Sequence, residues 1–238
     1  MVRRAWAIAP SSPVGYDAAN AAMHDLAVRR LADRVPDTIV LLEHPPVFTA
    51  GRRARPDDLL WSEAEVEERG GLVRRIDRGG AYTFHGPGQL VGYPILHLGP
   101  APDVAGYLRR LEQVVIDAAA EAGVHLHRRD DVQTGVWHGD DKVCAIGVRL
   151  QRARVTLHGF AINCTTDLSW YGGIVACGLP EQGVTSLSAI AGRPITVEQM
   201  RPIVQAQLAA TFDLALEPAP DAEHEAFAAT AAPVGVNT

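Results

Sequence analysis

The three cysteines of the chain, Cys144, Cys164 and Cys177, have different surroundings. Cys177 follows two glycines at 172 and 173 and precedes Gly178 and Pro180, a pattern that predicts a loop. Cys144 and Cys164 lie in apolar runs typical of strands, where cysteine usually behaves as a small buried hydrophobe. An unperturbed thiol, with a pKa of about 8.5, is mostly protonated at neutral pH and needs a nearby base or cation to react. Cys177 is therefore the candidate nucleophile.

Lys142 is the only lysine among the 22 lysine and arginine residues of the chain. Arginine stays protonated at any working pH, whereas a lysine can be tuned to lose its proton. As an ammonium Lys142 would favour a thiolate, and as an amine it would accept a proton. The spacing alone leaves its pairing with Cys177 open, because an arginine-rich composition also leaves a single lysine by chance.

The segment 78–89, RGGAYTFHGPGQ, contains four glycines in twelve residues together with an arginine, a threonine, a histidine and a glutamine. Glycines let the backbone approach a ligand closely and turn its N–H groups toward it. This density of polar groups beside glycine favours a substrate-lining loop over a simple pair of turns.

Other groups that could do chemistry carry weaker signals. His125, His127 and His138 have no carboxylate or cysteine at metal-ligand spacing, so exposed histidines are expected rather than a metal site. A Walker-type loop, a dinucleotide fingerprint and paired catalytic carboxylates are all absent from the sequence. The sequence therefore predicts neither a metal nor a cofactor.

Composition narrows the class of protein. A net charge of −6 and a pI near 5.8 argue against nucleic-acid binding. Apolar runs fall short of the roughly 20 residues that cross a bilayer, and no signal-peptide core follows the N-terminus, so no membrane segment is expected. Three cysteines, sparse and odd in number, favour a reducing compartment, and a cytoplasmic protein is predicted.

Helical spacing and capping residues predict helices over 16–34 and 103–122, and others that begin at Ser62 and Thr196. Strands are predicted over 38–42, 72–76 and 90–98, followed by a three-stranded meander over 132–137, 142–150 and 155–164. The elements are interspersed without a regular βαβ rhythm, which favours an α/β (α+β) fold with a mixed, largely antiparallel sheet flanked by helices. We expect a single domain over 1–216 and a mobile Ala/Pro-rich tail over 217–238.

The run 78–93, RGGAYTFHGPGQLVGY, resembles the signature of the lipoyl(octanoyl) transferases. Four further runs are similar to motifs of that family and follow in the same order: EHPPVFTAGR at 43–52, KVCAIGVR at 142–149, HGFAIN at 158–163, and Cys177-Gly178 with VTSL at 184–187. The resemblance covers roughly 41–187. One departure is Ala176, where the family often has a proline before the cysteine.

The resemblance implies the catalytic-domain fold of the biotin and lipoate protein ligases and a dyad of Cys177 and Lys142. An apolar slot lined by Tyr82, Phe84 and Phe160 is expected to read the chain length of the acyl group. His85 and His158 are expected to shape the site rather than to act as a base. The predicted substrate-binding residues are Arg78, Gly79, Gly80, Ala81, Tyr82, Thr83, Phe84, His85, Ala145, Ile146, Gly147, His158, Gly159 and Phe160.

The function that the resemblance implies is transfer of an octanoyl group from octanoyl-acyl carrier protein to a specific lysine of lipoyl domains, through a thioester on Cys177. This is the first step of protein lipoylation, and the acceptors would be the lipoyl domains of 2-oxoacid dehydrogenase complexes and the glycine cleavage H protein. Three alternatives remain at this point: an ATP-dependent lipoate or octanoate ligase of the same fold, a non-catalytic acyl-binding module, and a cysteine thioesterase.

Overall fold

A seven-stranded sheet forms the centre of the computed structural model, which describes residues 2–129, 134–175 and 183–228. Its strands lie in the order β10-β1-β2-β6-β9-β8-β7. Their bounds are β1 Arg3–Ile8, β2 Asp37–Leu42, β6 Gln89–Ile95, β7 Gly135–His138, β8 Asp141–Gln151, β9 Val155–Asn163 and β10 Leu214–Pro218. β1 pairs in parallel with β10 and β2, and the other neighbours are antiparallel. The predicted mixed, largely antiparallel sheet is confirmed.

A smaller sheet of three short strands lies beside the large one. It consists of β3 (Val47–Ala50) between β4 (Leu72–Arg75) and β5 (Tyr82–His85), with β3 parallel to β4 and antiparallel to β5. β5 falls inside the segment 78–89, which the sequence indicated as a loop. Four residues of that segment are therefore extended and hydrogen-bonded instead.

Helices cover both faces of the large sheet. The helices α3 (Val104–Glu121) and α5 (Val197–Thr211) pack together on one face, and α1 (Tyr16–Leu31) packs on the other. The described residues also form three shorter α-helices: α2 (Glu63–Glu68), α4 (Leu187–Ala191) and α6 (Asp221–Ala226). None of the helices in the described ranges is long and apolar enough to span a membrane.

Capping residues begin the helices where the sequence indicated. Ser62 and Glu65 form a capping box at α2, and Thr196 and Gln199 form another at α5. These side chains satisfy backbone N–H groups that have no partner within the helix.

The C-terminal part of the chain differs from the expected mobile tail. Glu217 and Pro218 belong to β10 and pair with β1, and the side chain of Phe227 is fully buried against the α1 face of the sheet. A parallel strand and one buried aromatic hold this segment, although its composition is poor in large apolar residues. The folded part therefore extends to at least residue 228, and residues 229–238 of the expected tail lie outside the described residues.

Candidate active site

A cavity opens between the two sheets and α1, with a volume of about 560 Å³ that includes space open to solvent. The loop 78–81, β5, β6, β8 and β9 supply most of its wall. The lining residues are Tyr16, Arg78, Gly79, Gly80, Ala81, Tyr82, Thr83, His85, Val91, Tyr93, Thr134, Ala145, Ile146, Gly147, His158, Gly159, Phe160 and Ala161.

Small side chains on neighbouring strands create the space. Ala145 of β8 is paired with Ala161 of β9, and Gly147 is paired with Gly159 in the same ladder. Gly159 has no room for a side chain, because a Cβ atom there would lie 2.1 Å from the carbonyl oxygen of Gly92 on β6. The cavity floor is therefore formed by backbone and methyl groups, which suits an apolar ligand.

Arg78 is buried in the cavity wall and is held by the small sheet. Its Nη2 group donates to the carbonyl oxygen of Thr49 at 2.5 Å and to the Thr49 hydroxyl at 2.9 Å. Its Nη1 group donates to the carbonyl oxygen of Gly79 at 2.9 Å. These contacts fix the loop 78–81 against β3.

His85 continues this network and is neutral. Burial is the main reason that its pKa falls to about 3, with smaller contributions from His44 and Arg78. Its Nδ1 atom donates to Oε1 of Gln89 at 2.8 Å, because the amide nitrogen of Gln89 already donates elsewhere. A neutral, fully engaged imidazole shapes the cavity and is unsuited to carry a positive charge.

His158 is also a buried, neutral histidine of the cavity wall. Burial, and then the charge of Arg78, lowers its pKa to about 3. Its backbone has a φ of 59°, a left-handed conformation that is strained for histidine. The Nε2 atom lies 2.7 Å from Oδ1 of Asp77, whose other oxygen contacts Arg149.

The same histidine and carboxylate belong to a cluster with metal-ligating atoms. Donor atoms of His24, Asp77 and His158 lie within 4.8 Å of one another. Arg149 forms an ion pair with the carboxylate of Asp77. A metal ion would have to displace or oppose that positive charge, so we assign this cluster to structure.

Lys142 lies on β8, three residues before Ala145 of the cavity wall, and is 5% exposed. Its Nζ atom is 4.5 Å from the centre of the Trp137 ring, a cation–π contact. Its backbone N–H donates to the carbonyl oxygen of Gly183 at 2.9 Å, and its carbonyl oxygen accepts from Thr185 at 3.0 Å. Cys177, the predicted partner of Lys142, lies outside the described residues.

The other two cysteines are buried in β8 and directly after β9, as the sequence indicated. Burial raises the pKa of the Cys164 thiol to about 12 and raises that of Cys144 further. Both thiols therefore stay protonated and are poor nucleophiles.

Of the predicted substrate-binding residues, Phe84 is the one that is not part of the cavity lining. Its ring stacks on Trp170 with the ring centres 5.1 Å apart, in an aromatic cluster that also contains Phe48. In a strand, successive side chains point to opposite faces, so Phe84 lies on the side away from Thr83 and His85. Contrary to the prediction, Phe84 does not line this cavity.

Sequence reasoning missed several lining residues, among them Tyr16, Val91, Tyr93 and Ala161. Tyr93 lies within the signature run 78–93 and Ala161 within the run 158–163, so the period-2 alternation of β6 and β9 would have identified them. Tyr16 comes from α1, and no local pattern marks it. The exposed positions predicted for His125, His127 and His138 are confirmed.

Comparison with known proteins shows which family the chain matches. Residues 17–209 match the family model of the lipoyl protein ligase A/B catalytic domain. An octanoyltransferase from Acidothermus cellulolyticus is 48% identical over 200 residues, which cover 82% of this chain and 86% of that protein. An octanoyltransferase from Mycobacterium tuberculosis is 47% identical over 206 residues, covering 84% of each chain.

Solved structures show the same fold at low sequence identity. A lipoate-protein ligase A bound with ATP superposes with a TM-score of 0.73 at 14% identity, covering 96% of this chain and 93% of the ligase. A biotin protein ligase from Aquifex aeolicus, in complex with biotin and ATP, has a TM-score of 0.51 at 13% identity, covering 87% of this chain and 69% of that one. The predicted ligase-like fold is confirmed.

Proposed function

The chain belongs to the octanoyltransferase family, within the lipoyl protein ligase A/B catalytic domains, and is therefore an acyltransferase. From this premise we propose that it transfers an octanoyl group from octanoyl-acyl carrier protein to a lysine of a lipoyl domain. The acceptors are the lipoyl domains of 2-oxoacid dehydrogenase complexes and the glycine cleavage H protein, and the intermediate is a thioester on Cys177.

The observation that carries this proposal is the cavity floored by Ala145, Gly147, Gly159 and Ala161, the first two of which lie on the same strand, β8, as the buried Lys142. An eight-carbon tail that leaves water for such a surface gains about 0.8 kcal/mol per methylene, or roughly 5 kcal/mol in total. A shorter tail loses binding in proportion, so the preference for octanoyl is graded.

The burial of the other two thiols supports Cys177 as the nucleophile. Cys144 and Cys164 are buried and held protonated, and both are therefore poor candidates for the reacting thiol. Lys142 is the general base, because a lysine amine can accept a proton that an arginine cannot. The free, buried Cys144 and Cys164 are also consistent with a reducing, cytoplasmic compartment.

The reaction proceeds in two acyl transfers. Cys177 gives its proton to Lys142, and its sulfur attacks the carbonyl carbon of the donor thioester. The carbon–sulfur bond to the carrier breaks, and the carrier's thiolate takes the proton back from Lys142. The acceptor amine then attacks the thioester on Cys177, the second carbon–sulfur bond breaks, and the amine proton returns through Lys142 to the Cys177 sulfur. No oxidant or nucleotide is consumed.

Mass spectrometry of the intact protein after mixing with octanoyl-acyl carrier protein, without acceptor, tests the intermediate. The wild-type chain should gain the mass of one octanoyl group, and Cys177→Ala should not. Cys164→Ala is the matched control and should still gain the mass. An adduct that persists in Cys177→Ala would refute the assignment.

A second assay separates the proposal from its alternatives. Product that forms from octanoate with ATP, but not from octanoyl-carrier protein, would identify a ligase. Release of free octanoate would identify a thioesterase, and tight acyl binding without transfer would identify a binding module. Lys142→Arg keeps the charge but removes the proton acceptor, so its adduct should form at least tenfold more slowly.

A further inference from the structure

Asn163, the last residue of β9, uses both ends of its buried side-chain amide. Its Oδ1 atom accepts from Nε2 of Gln89 at 2.9 Å and from the Tyr171 hydroxyl at 3.3 Å. Its Nδ2 group donates to the carbonyl oxygen of Thr185 at 3.1 Å. These partners fix the orientation of the amide. If its oxygen and nitrogen were exchanged, the nitrogen would face the Nε2 donor of Gln89 and the oxygen would face the carbonyl oxygen of Thr185.

Thr185 connects this amide to Lys142. The backbone N–H of Thr185 donates to the carbonyl oxygen of Lys142 at 3.0 Å, while its own carbonyl accepts from Asn163. The pairing of β8 with β9 ends at Cys144 and Ile162. At Lys142, residues 183–185 take the place of β9 beside β8 and run parallel to it. The Asn163 side chain therefore joins the end of β9 to residues 183–185.

Gln89 connects the same amide to the cavity. Its Oε1 atom accepts from His85 of the cavity wall at 2.8 Å, and its Nε2 group also donates to the carbonyl oxygen of Phe84 at 3.1 Å. Gln89 is fully buried, so these bonds are shielded from competing water. A continuous chain of hydrogen bonds thus runs from His85 through Gln89 and Asn163 to Thr185.

We propose that Asn163 is a positioning residue for acyl transfer, which holds residues 183–185 and the main chain of Lys142 in place relative to the cavity. The inference rests on the proposed function, in which Lys142 moves the proton of the reacting thiol. A misplacement of about 1 Å at a reacting group costs roughly a hundredfold in rate, so one buried amide can control the reaction without touching the substrate.

Two substitutions test the bond to Thr185. Asn163→Asp keeps the shape and the acceptor for Gln89, but it places an oxygen against the carbonyl oxygen of Thr185. Asn163→Ala removes all three hydrogen bonds of the amide without adding a charge and serves as the second variant if the aspartate disturbs folding. Tyr171→Phe is the matched control, because it removes a hydroxyl bonded to Asn163 and leaves the bond to Thr185.

The single lysine provides a readout that does not depend on catalysis. Protein labelled with ¹⁵N-lysine gives one backbone amide signal, that of Lys142, whose N–H donates to Gly183. Hydrogen exchange at this amide should be at least tenfold faster in both Asn163 variants and unchanged in Tyr171→Phe. Unchanged exchange in both Asn163 variants would overturn the link between Asn163 and Lys142.

The catalytic readout is the single-turnover formation of the octanoyl adduct from octanoyl-acyl carrier protein. Both Asn163 variants should form it at least tenfold more slowly, with the half-saturating donor concentration within twofold of wild type. An unchanged rate, or a loss caused by weaker donor binding, would overturn the positioning role. If the wild-type chain forms no adduct, the proposed function fails, and the exchange measurement still decides whether Asn163 holds Lys142.

Discussion

The carboxylate of Asp77 lies 2.7 Å from Nε2 of His158 and joins the start of the loop 78–81 to β9. Because Nε2 donates to the carboxylate, the ring of His158 keeps one orientation in the cavity wall. Arg149 of β8 contacts the same carboxylate, so one side chain connects three parts of the wall. The side chain of Asp77 is 37% exposed, and its ion pair with Arg149 is therefore weakened by water and salt.

We expect Asp77→Ala to weaken donor binding more than chemistry. Loss of the bond to His158 frees its ring, and the half-saturating concentration of octanoyl-acyl carrier protein should rise roughly threefold to tenfold. Asp77→Asn keeps an oxygen acceptor for His158 and should have a smaller effect. Steady-state kinetics measure the half-saturating donor concentration of each variant. An equal loss in both variants would indicate that the charge, rather than the bond to His158, matters.

The free energy of unfolding should decrease as the pH is lowered through the ordinary titration range of histidine. Burial lowers the pKa of His44 to about 4 and the pKa values of His85 and His158 to about 3, from 6.5 in the unfolded chain. Between pH 6.5 and 4 the unfolded chain therefore binds protons that these three folded histidines do not bind, and acid favours unfolding. Each histidine contributes about 1.4 kcal/mol per pH unit in that window.

Urea titrations at pH 7, 6 and 5 measure this slope. The variant His44→Gln should lose about a third of the slope that His44, His85 and His158 contribute together. His125→Gln, at an exposed position, is the control and should leave it unchanged. A free energy of unfolding that is flat between pH 6.5 and 5 would contradict the prediction.

Local sequence predicted those elements whose periodicity or caps are complete within a few residues. The capping boxes at Ser62 and Thr196 mark helix starts, and the meander of β7 to β9 follows from apolar alternation between turns. The parallel pairing of β1 with β10 joins residues about 210 positions apart, and a single sequence contains no signal for it. Composition gives the wrong expectation for residues 217–228, because this distant pairing holds the start of that segment in place.

The candidate site, too, is predictable where its signals are local in the sequence and unpredictable where distant parts of the chain meet. Glycines and polar groups indicate the loop 78–81, whereas the small residues of β8 and β9 are predicted through the family resemblance. The sequence predicts a loop over 78–89, so the alternation of β5 plays no part in the prediction that Phe84 lines the cavity. Tyr16 lies on a helix more than sixty positions before the loop, and only the fold brings its ring to the cavity.

Two cavity glycines should respond differently to an added methyl group. In Gly159→Ala the new Cβ atom would lie 2.1 Å from the carbonyl oxygen of Gly92 and 2.7 Å from Pro94. The strands β6 and β9 would have to separate, so we expect a loss of about 2 kcal/mol or more in unfolding free energy. Gly79→Ala meets only the Val148 carbonyl at 3.4 Å, an ordinary contact, and should be nearly as stable as wild type. Thermal melts compare the pair, and equal stabilities would contradict this account of the cavity floor.

Chain-length preference should depend on Ala161 and not on Phe84. Ala161 lies between Val91 of β6 and Ala145 of β8 on the cavity floor, so Ala161→Val fills space that the distal methylenes of the acyl tail would occupy. At about 0.8 kcal/mol per methylene, excluding two of them should lower the ratio of kcat/KM for octanoyl over hexanoyl donors roughly tenfold.

Phe84→Leu is the control, because it loosens the aromatic cluster on the opposite face of β5 and should cost about 1–2 kcal/mol of stability. The octanoyl-to-hexanoyl ratio in that control should stay within twofold of wild type. A ratio that changes in Phe84→Leu but not in Ala161→Val would mean that the acyl tail lies on the other side of the small sheet.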